Sequence, residues 1–286
     1  MSKTDSAGLD AALHVMSDTD TDQANLYGKG ALSHDSSTEQ QRLQLMENVL
    51  DPVSTGIFER LGMQPSWQCL EVGAGNGSVA RWLAARCLDG NVVATDTDTR
   101  YLESTTIPNL EIRQHDAARD DFAEGSFDLI HARAVVVHLP DREANVAKMV
   151  SWLKPGGWLV LEEPATFPSD DSPHEDFRRL MLAFEKLMWK TQRTDNRCWP
   201  RRLPTALAMM GLTDVGMSVT SHIVGDGSST DEFWRVFLTQ VGPSLIQHGL
   251  VTKAEYEAGM AAFDDPHFLD VNHAWVAAWG RRRMPT

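Results

Sequence analysis

Between Gln68 and Ala84 the chain passes from an apolar run through three alternate glycines into an amphipathic segment, and this succession limits the fold more than any other feature. Gln68 to Val72 has the apolar density of a buried strand. Gly73-Ala74-Gly75-Asn76-Gly77 forms the turn, and Val79, Trp82, Leu83 and Ala84 recur at helical spacing after it. Glycine lets a backbone turn tightly and approach a ligand with no Cβ in the way. The helix that follows offers unpaired N–H groups and the positive end of its dipole. The GxGxG spacing has Ser78 where a dinucleotide fingerprint would place a further glycine. A tight turn that holds no ligand is the plainer alternative.

The same texture repeats downstream. Asn91 to Thr95, Leu110 to Gln114, Phe127 to His131 and Trp158 to Leu161 are four more short apolar runs, with helical segments between them, notably Glu143 to Leu153. Short apolar strands separated by helices predict an α/β fold with a doubly wound parallel sheet covered on both faces. Lys154-Pro155-Gly156-Gly157-Trp158 reads as a turn before the fifth strand. Upstream, Leu43, Met46, Leu50, Val53, Ile57 and Leu61 recur at spacings of three and four, and Pro52 is expected to divide that stretch into two helices. After Pro164, Phe177, Leu180, Met181, Phe184, Leu187 and Met188 form one helix face. Val215 to Val224 and Ala274 to Trp279 read as strands, with several short helices in residues 225–267 between them.

The expected organisation is therefore a Ser-, Thr- and Asp-rich mobile arm at residues 1–24, N-terminal helices at 25–62 that contribute to a cap, and a domain at 63–286 with a helical insert at 225–267. With 42% hydrophobic and 23% charged residues, a chain of 286 residues can bury a substantial core. Its 26 Lys and Arg against 40 Asp and Glu give a net charge of -14, which repels phosphate backbones and anionic lipid heads. A small-molecule partner is expected, with no nucleic acid and no membrane, and an apolar cap could also serve as a homodimer face. Cys69, Cys87 and Cys198 suggest neither a disulfide framework nor a metal site, and no signal peptide or long apolar run is visible, so the expected location is cytoplasmic.

Two acids extend the pattern. Asp96 follows the second strand, where a carboxylate can accept hydrogen bonds from ribose hydroxyls, and Asp116 follows the third, where it can take an adenine amine. Taken singly, each is a solvated loop carboxylate; together they lie at the strand ends where doubly wound sheets bind ligands. In this order, Glu71 to Gly77, Asp96, Asp116, Phe127-Asp128-Leu129 and Lys154 to Gly157 resemble the class I S-adenosylmethionine-dependent methyltransferases of the small-molecule, secondary-metabolite type. The likeness is good over about residues 27–164 and only in outline beyond. It implies a Rossmann-like seven-stranded sheet whose last two strands are antiparallel, and S-adenosyl-L-methionine as cofactor.

Carried over residue by residue, the resemblance implies that Glu71 orients the glycine turn and the methionine amine, with Gly73, Ala74 and Gly75 against the cofactor. Asp96 would hold the ribose and Asp116 the adenine amine, with Thr97 and Ala117 beside them, although Thr97 stands where an apolar residue often packs on adenine. His131-Ala132-Arg133 would pass beside the sulfonium. Tyr27 and Arg42 would close over the methionine end, Arg42 pairing the carboxylate in a bidentate fork or, equally, lying on a helix surface.

Methyl transfer needs chiefly a positioned nucleophile in a dry pocket, and a base only if the acceptor must lose a proton early. His138 is the first candidate for base or orienting group, with a packing role as the alternative. Glu163 is placed on the same edge as a partner for a polar acceptor, Tyr27 is grouped with them, and His131 is a weaker candidate. Trp189, Trp199, Trp234, Met181 and Met188 suggest an apolar cap suited to an aromatic or heteroaromatic acceptor, phenol- or indole-like, although ordinary core is the plainer use. No metal-ligand spacing and no GxSxG elbow is present. The alternatives are a protein or RNA methyltransferase, a non-catalytic cofactor-binding regulator, and a nicotinamide oxidoreductase.

Overall fold

In the computed structural model, which describes residues 32, 37–102 and 106–285, β1 (Gln68–Val72) lies inside a seven-stranded sheet, with Cys69 to Val72 all buried. β2 (Asn91–Asp96) runs parallel to it on one side and β4 (Phe127–Arg133) on the other. β3 (Leu110–Gln114) extends the sheet beyond β2, and β5 (Leu153–Ala165) pairs parallel to β4. β7 (Asp270–Arg281) is antiparallel to β5, and β6 (Thr213–Val224) is antiparallel to β7 at the edge. The order β3-β2-β1-β4-β5-β7-β6 reverses direction between β1 and β4, and such a reversal opens a crevice at the carboxyl ends of the strands.

Alternate strand residues serve opposite faces. Cys69, Leu129, Val160 and Ala277 pack under Ile57 and Phe58 of α1 (Glu39–Arg60) and Leu83 of α2 (Ser78–Arg86). Leu70, Ile130, Leu159 and Val276 face the other way, onto Met149 and Trp152 of α3 (Arg142–Trp152) and Leu203 and Leu207 of α5 (Trp199–Met209). A third cluster, built by α4 (Glu175–Gln192), α6 (Ser229–Gln247) and α7 (Lys253–Ala261), forms a helical cap that also receives Leu45 of α1.

Four expectations are corrected. Pro52 does not divide α1, which runs unbroken from Glu39 to Arg60. Leu43, Leu45 and Leu50 are buried before the proline and Ile57 and Phe58 after it, so packing along the whole helix outweighs the local penalty of about 3 kcal/mol. Lys154 to Trp158 is not a turn ahead of β5 but a bulge inside it: Leu153 pairs with Phe127 and Trp158 with Leu129, and the Gly156 N–H donates to the Arg282 carbonyl at 2.8 Å. Residues 225–267 contain a helix of 19 residues, one of 9 and a single 3-10 turn at Ala262–Asp264, so a long helix stands where several short ones were expected. Among the described residues, no helix joins β2 to β3 or β3 to β4. The 1–24 arm and Tyr27 lie outside the described residues. No helix among the described residues is long and apolar enough to cross a membrane.

Because Pro52 is exposed and its ring is accommodated by an otherwise regular helix, Pro52→Ala is expected to restore one helical hydrogen bond. Urea unfolding should register a gain of about 1–3 kcal/mol, reduced by the entropy that proline removes from the unfolded chain. A loss of stability would mean that the proline shapes a bend the packing needs.

Candidate active site

The carboxyl ends of β1 to β5 open onto one cavity, closed from the other side by α1, α4 and α6. Gly73 enters it with φ +69°, and a Cβ there would lie 2.3 Å from a methyl carbon of Val135, so both conformation and space require glycine. The turn is pinned to the end of β2. The Ala74 N–H donates to the Thr95 carbonyl at 2.8 Å, and the Gly75 N–H to the Asp96 carboxylate at 3.0 Å. Asp96 also accepts from the Asp98 N–H at 3.2 Å, and Asp116 from the Ala118 N–H at 2.9 Å. Glu71, Gly73, Ala74, Gly75, Asp96, Thr97, Asp116 and Ala117 all line this cavity, so the expected cofactor wall is brought together in space.

Beneath that wall lies a buried charge cluster. His131 of β4 stands between Glu71 of β1 and Glu162 of β5, with Nδ1 at 2.7 Å and Nε2 at 3.0 Å from their carboxylates. Burial works against its charge most strongly, yet the two carboxylates overcome it and hold the imidazole pKa at about 9. Burial raises the Glu71 carboxyl despite His131, whereas the hydrogen bond and charge of His131 outweigh burial at Glu162 and lower it. Arg133 donates to Ser54 and to Asp51, each at 2.9 Å, and so ties β4 to α1.

Several expected site residues are placed elsewhere. His131 and Ala132 do not line the cavity: His131 is sealed between its two carboxylates and Ala132 packs in the α3–α5 layer. The segment that borders the cavity is Arg133-Ala134-Val135, where Ala134 turns the chain with φ +54°. Arg42 lines the cavity, but its fork is engaged by Glu39 at 2.9 and 2.7 Å, and its guanidinium lies 4.9 Å from the Phe237 ring centre. Glu163 is not in the cavity wall; it accepts from the Val137 N–H at 3.1 Å and braces the short turn that carries His138. Burial pushes its carboxyl up to about 8. His138 does line the cavity, and burial, then Arg42 and Arg142, push its pKa down to about 3, so it is a neutral imidazole at pH 7.

Of the expected cap residues, Trp234 and Met188 line the cavity. Trp199 and Met181 are core, and Trp189 is 43% exposed. Phe184, Phe233, Phe237 and Trp275 complete the aromatic wall, with Thr194, Asn196 and His273 as its polar members. Phe184 and Met188 are one helical turn apart, so their shared face is legible from spacing. Thr194 and Asn196 sit in the α4–α5 connection, where no periodicity marks them.

Residues 70–161 match the family model described as a methyltransferase domain. The chain is 30% identical over 122 residues to the methyltransferase str3 of Strobilurus tenacellus, covering 42% of this chain and 40% of that protein. It is 25% identical over 238 residues to phosphoethanolamine N-methyltransferase 1 of Triticum aestivum, covering 79% of this chain and 42% of the other. The chain thus spans about two-fifths of the length of these curated relatives. Its fold is similar to that of phosphoethanolamine N-methyltransferase 2 of Haemonchus contortus, solved with phosphomonomethylethanolamine and S-adenosylhomocysteine. That match has a TM-score of 0.57 at 15% identity and covers 87% of this chain and 58% of the other.

The buried acids and His131 set a pH dependence of stability. Both Glu163 and His131 have folded pKa values raised above their usual ones, so each contributes most below its unfolded value and loses that contribution as pH rises. The windows run from 4.5 to about 8 for Glu163 and from 6.5 to about 9 for His131. Glu163→Gln, which imitates the protonated acid, should flatten the lower window and leave the upper one. Thermal midpoints across this range check it, and an unchanged profile in the variant would mean that Glu163 is ionised in the folded protein.

Proposed function

We propose that this chain, which belongs through the domain at residues 70–161 and its seven-stranded sheet to the class I S-adenosylmethionine-dependent methyltransferases, transfers a methyl group from S-adenosyl-L-methionine to a small organic acceptor. The observation that carries this reading is the convergence of the Gly73–Gly75 turn, Asp96 and Asp116 on one cavity at the edge where the strand order reverses.

The residues present fit an adenosine-bearing cofactor. The backbone at Gly73 and Gly75 lies bare against the cavity, and two carboxylates stand at the ends of neighbouring strands. His115, 6% exposed and stacked on Phe122 at 4.6 Å, lines the cavity beside Asp116 with neither ring nitrogen hydrogen-bonded. When bound, S-adenosyl-L-methionine supplies a methyl group already activated on a sulfonium. Asp96 receives the ribose hydroxyls and Asp116 the adenine amine, while Glu71, held by His131, faces the methionine amine. Little covalent work is left to the protein, whose contribution is to exclude water and hold the acceptor in line. His138, neutral and weakly basic, serves as a hydrogen-bond acceptor that orients the nucleophile; a pKa of about 3 makes it a poor proton sink. The aromatic wall from α4 and α6, with Trp275, supports an acceptor with a flat aromatic or heteroaromatic body. The net charge of -14 disfavours a polyanion such as RNA.

Calorimetric titration with S-adenosylhomocysteine, with NADH as control, tests the reading. Micromolar binding of the former alone is expected; binding of NADH alone would overturn it, and binding of S-adenosylhomocysteine without turnover of any acceptor would favour a regulator. Asp96→Ala should weaken that binding by about 1.5–3 kcal/mol for each charge-assisted hydrogen bond lost, and an unchanged affinity would remove Asp96 from the ribose site.

A further inference from the structure

The connection between α4 and α5 brings two buried polar side chains to the cavity wall. Thr194 and Asn196 are 4% and 6% exposed, both line the cavity, and Thr194 Oγ1 and Asn196 Oδ1 have no hydrogen-bond partner. Buried polar atoms are almost always paired, so two unpaired ones in one stretch of wall point to a ligand that satisfies them. Asn196 is held in place on two sides. The Asn196 carbonyl accepts from the Thr166 N–H at 3.1 Å, which fastens the loop to the end of β5. Asn196 Nδ2 lies 3.2 Å from one Glu185 oxygen and 3.5 Å from the other, which sets the amide orientation and turns Oδ1 away from that carboxylate.

Glu185 is in turn held by His273, whose Nε2 lies 2.6 Å from it. His273 Nδ1 is 2.7 Å from Ser169 Oγ, and that hydroxyl donates to the Thr166 carbonyl at 2.7 Å. Because the serine proton is directed to Thr166, Nδ1 carries a proton and donates to Ser169. The arginines that line the cavity are balanced by acids, Arg42 by Glu39 and Arg133 by Asp51. Among the described residues, both arginines that line the cavity are thus paired with acids, and Asn196 Oδ1 can only accept a hydrogen bond. Phe184, Trp234 and Trp275 complete an apolar wall in the same cavity.

We infer that Asn196 and Thr194 are the acceptor-recognition pair of this cavity, selecting an uncharged or cationic molecule with a flat apolar body and an O–H or N–H group over one that bears a carboxylate or phosphate. The word acceptor rests on the methyl-transfer reading; the recognition chemistry does not. Glu185 and His273 are positioning residues that hold the amide in place.

The test uses the full chain and four probes with one ring system, a naphthol, a naphthylamine, a naphthoate and a naphthyl phosphate, titrated by calorimetry. The naphthol and naphthylamine should bind about tenfold or more tighter than the two anions, the size expected for a hydrogen bond gained against a buried acceptor facing an anion. Asn196→Leu should weaken naphthol binding about tenfold. The isosteric Thr194→Val should weaken it several-fold with an unchanged thermal midpoint, which separates recognition from folding. S-adenosylhomocysteine affinity should be the same in both variants and the parent. Equal or tighter binding of the anions, absence of naphthol binding, or variants that bind naphthol like the parent would overturn the assignment. Failure of S-adenosylhomocysteine to bind, with the probe preference intact, would instead sink the methyl-transfer reading alone.

Discussion

The contact on which the structure depends is the imidazole of His131 clasped between Glu71 and Glu162. It joins β1, β4 and β5 through side chains at the carboxyl edge, directly under the glycine turn. Isolated buried charges are expensive, and this cluster survives because each ring nitrogen meets a carboxylate and Arg133 lies nearby. Removing one member would strand the others. Arg133 carries the same network to Asp51 and Ser54, so that α1 is held over the sheet by hydrogen bonds as well as by Ile57 and Phe58.

From that base the cavity acquires two kinds of wall. The sheet side is backbone and carboxylate, suited to hydroxyls, amines and a close-lying ligand. The cap side is aromatic, with a few polar atoms set by long-range partners such as Glu185 and His273. The division follows from the fold: strand ends expose main chain and loop acids, whereas helices packed across a crevice turn their apolar faces into it.

Much of the sheet side was legible along the chain. The strand–glycine–helix unit at residues 68–84, the acids at the end of β2 and just past β3, and the two late strands follow from periodicity and spacing, because their signals are local. The cap was less so. Trp199 and Met181 are of the same types as Trp234 and Met188, and all four are buried, yet only Trp234 and Met188 also line the cavity. Residue type states only that a side chain prefers burial, not whether it borders the cavity. Pro52 misleads for a related reason: its local preference is real, and the packing along α1 overrides it.

By itself, the sequence determined the doubly wound sheet, the place of the glycine turn and the carboxylates that face it, since each depends on neighbours a few residues apart. Only the tertiary structure decided that Glu163 accepts from the Val137 N–H and braces a turn, that Arg42 is held by Glu39 and Phe237, and that Thr194 and Asn196 border the cavity at all. Those outcomes depend on partners remote along the chain, on burial and on the direction each side chain takes across a strand or loop, and no local pattern encodes them.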